Sequence, residues 1–227
     1  MPQDESEVHW FKLINNSGAT QRYIMFAPPP PGGFDTPIWI ASDDIENETS
    51  WEVHTTAPIW AGFGNQLDDK TIRMTNWADS GISNNSPDIF DLTVFKGIPS
   101  LEDTKTKVKD AVTFEVDTTD TTVGDDPLVI GFGKRNGPNG TITACATILA
   151  EPNTQLVVKP QIELYFFNTT GTPGTLIDFD DLSAKSAQIN FGGHTAGASL
   201  CTVIHTTDED GKASWVTAYD NTPPDDE

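Results

Sequence analysis

Apolar residues in this chain recur at alternate positions in short runs, and clusters of Gly, Pro, Asn and Asp separate the runs. That period of two predicts strands at 8–14, 21–27, 38–41, 51–55, 59–63, 71–76, 89–95, 111–116, 128–132 and 141–149. The last third continues the pattern at 156–159, 162–167, 187–191, 200–205 and 214–217. The cuts fall at Thr169-Thr170-Gly171-Thr172-Pro173-Gly174, Gly192-Gly193 and Asp208-Glu209-Asp210-Gly211. Glycine there supplies positive φ and proline fixes φ, so the chain turns over between strands. Asn15-Asn16-Ser17-Gly18 predicts a hairpin joining the first two strands, and Lys134 to Gly140 reads as the clearest hairpin loop. Pro28 to Pro31 removes four consecutive N–H donors, so the ladder ends there. Only 101–109, where charge alternates, reads as helix, one turn or two.

These elements predict an all-β chain, an antiparallel β-sandwich in one domain over 8–219. Residues 1–7 read as an acidic disordered leader and 220–227 as an acidic disordered tail. In the strand at 162–167, Ile162, Leu164 and Phe166 share one face and Tyr165 and Phe167 the other. Both faces are apolar, which predicts a central strand covered on both sides. Hydrophobic content is only 36%, but six Trp and twelve Phe enlarge the apolar contribution of each inward position.

Charge narrows the partners. Thirty-four acidic and thirteen basic residues leave −21. Nucleic-acid binding rests on basic side chains, and docking on an anionic membrane meets the same repulsion, so neither partner is expected. A monomer or small homo-oligomer is expected, with association favoured near the isoelectric point of about 4.2. Met1 to Glu7 holds no apolar run, so the expected location is cytoplasmic, with Cys145 and Cys201 reduced or facing each other as a pair. Asn-x-Ser/Thr triplets begin at Asn15, Asn47, Asn84, Asn139 and Asn168, and turn chemistry accounts for most of them.

No reaction is specified. His9, His54, His194 and His205 lack metal-site spacing. Asp208 and Asp210 suit a turn, or at most a surface calcium site, and lack the remaining EF-hand ligands. Gly-x-Ser-x-Gly is absent, and Cys201 and His205 lie about 13 Å apart along one strand face. The chain is therefore expected not to be an enzyme and to hold no metal. What stands out is the aromatic density after residue 34. Trp39, Trp51, Trp60 and Trp77 occur beside Gly, Pro and Asp, where they serve as core or as walls for a ligand. Arg22 and Arg73 are available to an acidic group on it.

The pattern Phe11-Lys12-Leu13-Ile14-Asn15-Asn16-Ser17, then Gln21-Arg22-Tyr23 and later Ile162-Glu163-Leu164-Tyr165-Phe166-Phe167 with Trp215, resembles small cytosolic β-sandwich proteins of fungi and bacteria. That group includes pigment-carrying chromoproteins of oyster mushrooms. The resemblance implies binding or storage of a small apolar or conjugated ligand, a bound chromophore being the expected cofactor. The alternative is a cytosolic lectin or defence protein, calcium-assisted through Asp208 and Asp210, whose tryptophans stack on sugars.

Overall fold

Burial alternates along β1 (Val8–Asn16): Phe11, Leu13 and Asn15 are buried, while Lys12, Ile14 and Asn16 face outward. The computed structural model describes residues 8–119, 127–137, 140–161, 163–192, 195 and 197–221. β1 is the centre of a first sheet. It pairs antiparallel with β5 (Thr49–Thr56) and parallel with β17 (Leu200–Thr207), and β18 (Ala213–Asp220) adds the outer edge. A second sheet orders β16 (Ala187–Ile189), β14 (Leu164–Asn168), β2 (Tyr23–Phe26) and β4 (Ile40–Ala41). The two meet through side chains such as Trp51 and Phe166, whose rings contact edge to face at 5.8 Å.

The other half of the molecule has two further sheets. One runs β12 (Ile142–Leu149), β11 (Leu128–Arg135), β6 (Trp60–Asp68), β7 (Thr71–Asp79). The other runs β13 (Gln155–Val158), β10 (Phe114–Thr118), β8 (Asp88–Phe95), β9 (Ile98–Lys107). A short ladder of β3 (Thr36–Pro37) and β15 (Leu176–Ile177) and a helix, α1 (Phe179–Ser183), complete the described elements, with one 3-10 turn at Ile82–Asn84. Buried residues from all four large sheets form one continuous cluster. The expected all-β sandwich is the architecture found, at 58% strand and 4% helix. Pairing is mostly antiparallel, but β1–β17 and β8–β10 run parallel, a direction the period-two pattern leaves open.

Each expected strand overlaps an observed one, and Lys134 to Gly140 does connect the antiparallel pair β11 and β12. Pro28 to Pro31 carries no strand. Two expectations need correction. β1 and β2 form no hairpin, because β2 pairs with β14 and β4 in the opposite sheet. All four residues of β2 are buried, so it needs cover on both faces, which an outer hairpin arm would lack. The turn itself is a stapled corner. Asn15 Nδ2 donates to the carbonyls of Ala19 and Ile45, each at 2.8 Å, and its Oδ1 accepts from Ser17 N–H at 3.1 Å. The second correction is 101–109, which lies largely in β9 and is not helical. Lys96 and Gly97 have φ of 53° and 77°, the reversal that folds β9 back on β8. The alternating charge there marks a strand edge.

β14 lies between β16 and β2, covered on both sides as expected. Leu164 and Phe166 enter the main core; Tyr165 and Phe167 pack with Phe26 and with Phe179 of α1. Ile162 lies outside the described residues, as do 1–7 and 222–227 of the expected leader and tail. Asp220 belongs to β18. α1 itself gave little signal: it is five residues long, capped by Asp178, whose Oδ1 accepts from Asp181 N–H at 3.1 Å. Cys145 and Cys201 are both free thiols, and both are buried.

Inside the first half, His205 of β17 is fully buried. Its Nδ1 lies 2.9 Å from the Tyr23 hydroxyl, its ring stacks on Trp215 at 4.4 Å, and Nε2 has no partner among the described residues. Burial lowers the His205 pKa and raises that of Tyr23, so both groups are neutral and one hydrogen bond joins them. The unfolded chain takes up a proton near the ordinary value of about 6.5, before the native one does. Stability is therefore greatest above about pH 6.5 and falls with acidification, by at most about 1.4 kcal/mol per pH unit from this group. Urea unfolding between pH 7.5 and 5.0 is expected to show that loss, and His205→Gln is expected to flatten it. An equal slope in both proteins would contradict the assignment.

Candidate functional site

Where the two halves meet, alternation along three strands leaves an enclosed apolar crevice. On β1 the inward set begins with His9 and Phe11; on β11 it ends with Phe132 and Lys134. Gly131 and Gly133 fall on the outer face, where Trp77 lies across the sheet, 2.6 Å from the position a Cβ on Gly133 would take. Between Ala144 and Ala146, opposite the register shift at Phe132/Gly133, β12 bulges and turns Cys145 into the crevice. Leu164 and Ile189 close it from the second sheet.

Phe191 forms part of the wall beside His9. Its ring stacks on His9 at 4.4 Å and meets Phe11 edge-on at 5.6 Å. The crevice measures about 490 Å³ including solvent at its mouth, but only about 30 Å³ of it admits the centre of a water-sized sphere. That is room for one or two waters, against roughly 300–1,000 Å³ in pockets for drug-sized ligands. Anything larger displaces side chains on entry, and Phe191 and His9 are half-buried members of the wall.

The wall carries little charge. Lys134 supplies the one side chain of fixed charge among the described lining residues, and no described carboxylate lines the space. Burial pushes the Cys145 thiol up to about 12, although the positive Lys134 pulls it the other way. Cys201 is pushed up to about 12 by burial and is hydrogen-bonded to Tyr219. Both sulfurs are therefore protonated at neutral pH and are poor nucleophiles.

The residues expected to bind ligand do not converge. Trp39 is wholly buried in the core, and its Nε1–H donates to the Lys134 carbonyl at 3.2 Å, propping the strand behind the crevice. Trp51 is half-buried against Phe166. Trp60 and Trp77 share the outer face of the β6–β7 ladder, with the Arg135 guanidinium 5.2 Å from the Trp60 ring. Arg22 is exposed and paired with Asp44 at 2.5 Å, and Arg73 is exposed on β7. None of the six lines the crevice. His9, Lys134, Cys145 and Phe191 were missed as a group. Their one local signal is the step from Phe132 to Lys134 on the inward face of a glycine-rich strand.

Elsewhere, His54 lies tilted against the Trp10 ring with centroids 4.3 Å apart, and His194 lies outside the described residues. Asp208 Oδ1 accepts from the N–H groups of Asp210 and Lys212 at 3.1 and 2.8 Å, closing the turn between β17 and β18. Among the described residues no cluster of three or more His, Cys, Asp or Glu is arranged to hold a metal, and no helix is long and apolar enough to cross a membrane. No family model matches the chain, and no curated protein or solved structure shows significant similarity to it.

Cys145 borders the crevice, whereas Cys201 is sealed between β1 and β18. Native alkylation followed by peptide mapping is expected to label Cys145 first. Labelling of Cys201 ahead of Cys145 would show that the crevice does not open.

Proposed function

We propose that this chain is a non-enzymatic binding or storage protein for a small apolar ligand, held in the crevice between its two halves. The observation that carries the reading is the enclosure: aromatic and aliphatic side chains from three sheets line one space, with polar groups confined to a few positions. A flat or slender occupant fits best, since it needs the least displacement of Phe191 and His9. A conjugated pigment is such a molecule, and the likeness of β1 and β14 to pigment-carrying sandwich proteins points the same way. Two protonated thiols and an acidic surface suit a reducing, crowded cytosol.

Trp60 and Trp77 support a second reading, as a sugar-stacking platform of a lectin, because they share an outer sheet face. One experiment separates the two. Native mass spectrometry of the purified chain, and titration with the uncharged fluorophore N-phenyl-1-naphthylamine, are expected to reveal one apolar molecule per chain. Ile59→Trp, which fills the crevice from a half-buried lining position, is expected to abolish binding. Absence of both an extractable molecule and dye binding would contradict the crevice. Glycan binding that survives Ile59→Trp and is lost in Trp77→Ala would move the function to the outer face.

A further inference from the structure

We infer that β18 is an interface strand: it pairs antiparallel with β18 of a second copy of this chain, about a two-fold axis through Val216. The other edge strands of the four large sheets are guarded. β5 is bridged to Asn136 at Thr55, β7 to Thr175 at Thr71, and β12 to Asp35 at Thr147. β9 carries Lys105, Lys107 and a register shift, and β4, β13 and β16 have only two to four residues. β18 has none of these devices. It runs for eight residues without Lys, Arg, Pro or a register shift, and Val216 at its middle is 55% exposed. An open edge of that kind is a template for another strand.

The ladder determines which groups the edge offers. Asp208 N–H donates to the Lys212 carbonyl at 3.0 Å. Antiparallel pairs alternate, so Ser214, Val216 and Ala218 bond toward β17, while Ala213, Trp215, Thr217 and Tyr219 turn N–H and C=O to the open side. None of those four has a backbone partner on that side among the described residues. A copy of the same strand fits them. Facing side chains of an antiparallel pair lie on one face of the sheet, so the axis must pass through a residue. Through Val216, Trp215 meets Thr217 and Tyr219 meets Ala213, large against small. Through Thr217, Trp215 would meet Tyr219. The first register also sets Lys212 opposite Asp220, so no like charges face each other, and the backbone bonds do not depend on that pair. Ser214, Val216 and Ala218, with Thr202, Ile204 and Thr206 beside them on β17, form an uncharged outer strip. In a chain of −21, a second copy meets the least repulsion there. A charged peptide would find no opposite charge on the strip to recognise it.

Sedimentation equilibrium of the full chain tests this. Wild type is expected to dimerise, more tightly as salt screens the charge that each copy carries. Val216→Lys and Val216→Glu alter an exposed side chain, so both keep the fold. Each sets like charges face to face across the axis and is expected to weaken association at least about tenfold. An equimolar mixture of the two is expected to restore dimers, because Lys then faces Glu. A wild-type chain that stays monomeric would overturn the proposal and leave the edge to a different chain. Dimers that survive in both variants would place the contact elsewhere and overturn it too. A mixture that fails to associate would remove the axis through Val216, and dimers that dissolve as salt rises would show ion pairs, not strand pairing, holding them.

Discussion

The molecule depends on one apolar seam shared by all four large sheets. Each sheet offers only alternate side chains to the interior, and a four-stranded sheet of short strands buries too little by itself. Phe11 and Val203 from the first sheet, Phe166 and Ile189 from the second, Phe132 and Ile130 from the third and Phe90 and Val116 from the fourth join in a single cluster. Fully burying a side chain of this kind stabilises by about 1.5–3 kcal/mol, so losing the seam would remove several such contributions at once. The low overall hydrophobic content makes the aromatic members of that cluster indispensable.

The crevice follows from the same construction. Two halves that share a core meet along a line, and the strands twist, so side chains along that line do not fill it uniformly. At one end of the line the inward row of β11 changes from Phe132 to Lys134 and β12 bulges at Cys145. Both changes interrupt the regular interlocking of side chains and leave the small space that Phe191 borders. Trp39 holds this region from behind through the Lys134 carbonyl, and Trp77 fits the opposite face because Gly133 has no side chain. Two of the tryptophans that mark the sequence thus support the crevice wall without lining it.

Strand positions were legible because inward and outward residues alternate over most of them, and the two-sided cover of β14 could be read from Leu164, Tyr165, Phe166 and Phe167. Strand partners were less so. Asn15-Asn16-Ser17-Gly18 has the composition of a hairpin turn, yet Asn15 uses its side chain to fasten the 45–48 loop, and that loop is thirty residues away in sequence. β9 hid behind its lysines and acids, since exposure on both sides removes the hydrophobic alternation that betrays a strand. The crevice was illegible for the same reason as the parallel pairs. His9, Lys134, Cys145 and Phe191 come from distant stretches of chain, and contacts between sheets bring them to one space: Phe191 packs on His9 and Phe11, and the end of β11 is bridged to β5, the partner of β1, through Asn136 and Thr55.

If one seam holds both halves, they unfold together. Differential scanning calorimetry at neutral pH tests this directly. A single transition, with calorimetric and van't Hoff enthalpies equal, is the predicted result. Two resolved transitions, one for the sheets around β1 and β14 and one for those around β8 and β11, would contradict a shared core and with it the crevice as a built feature of the fold.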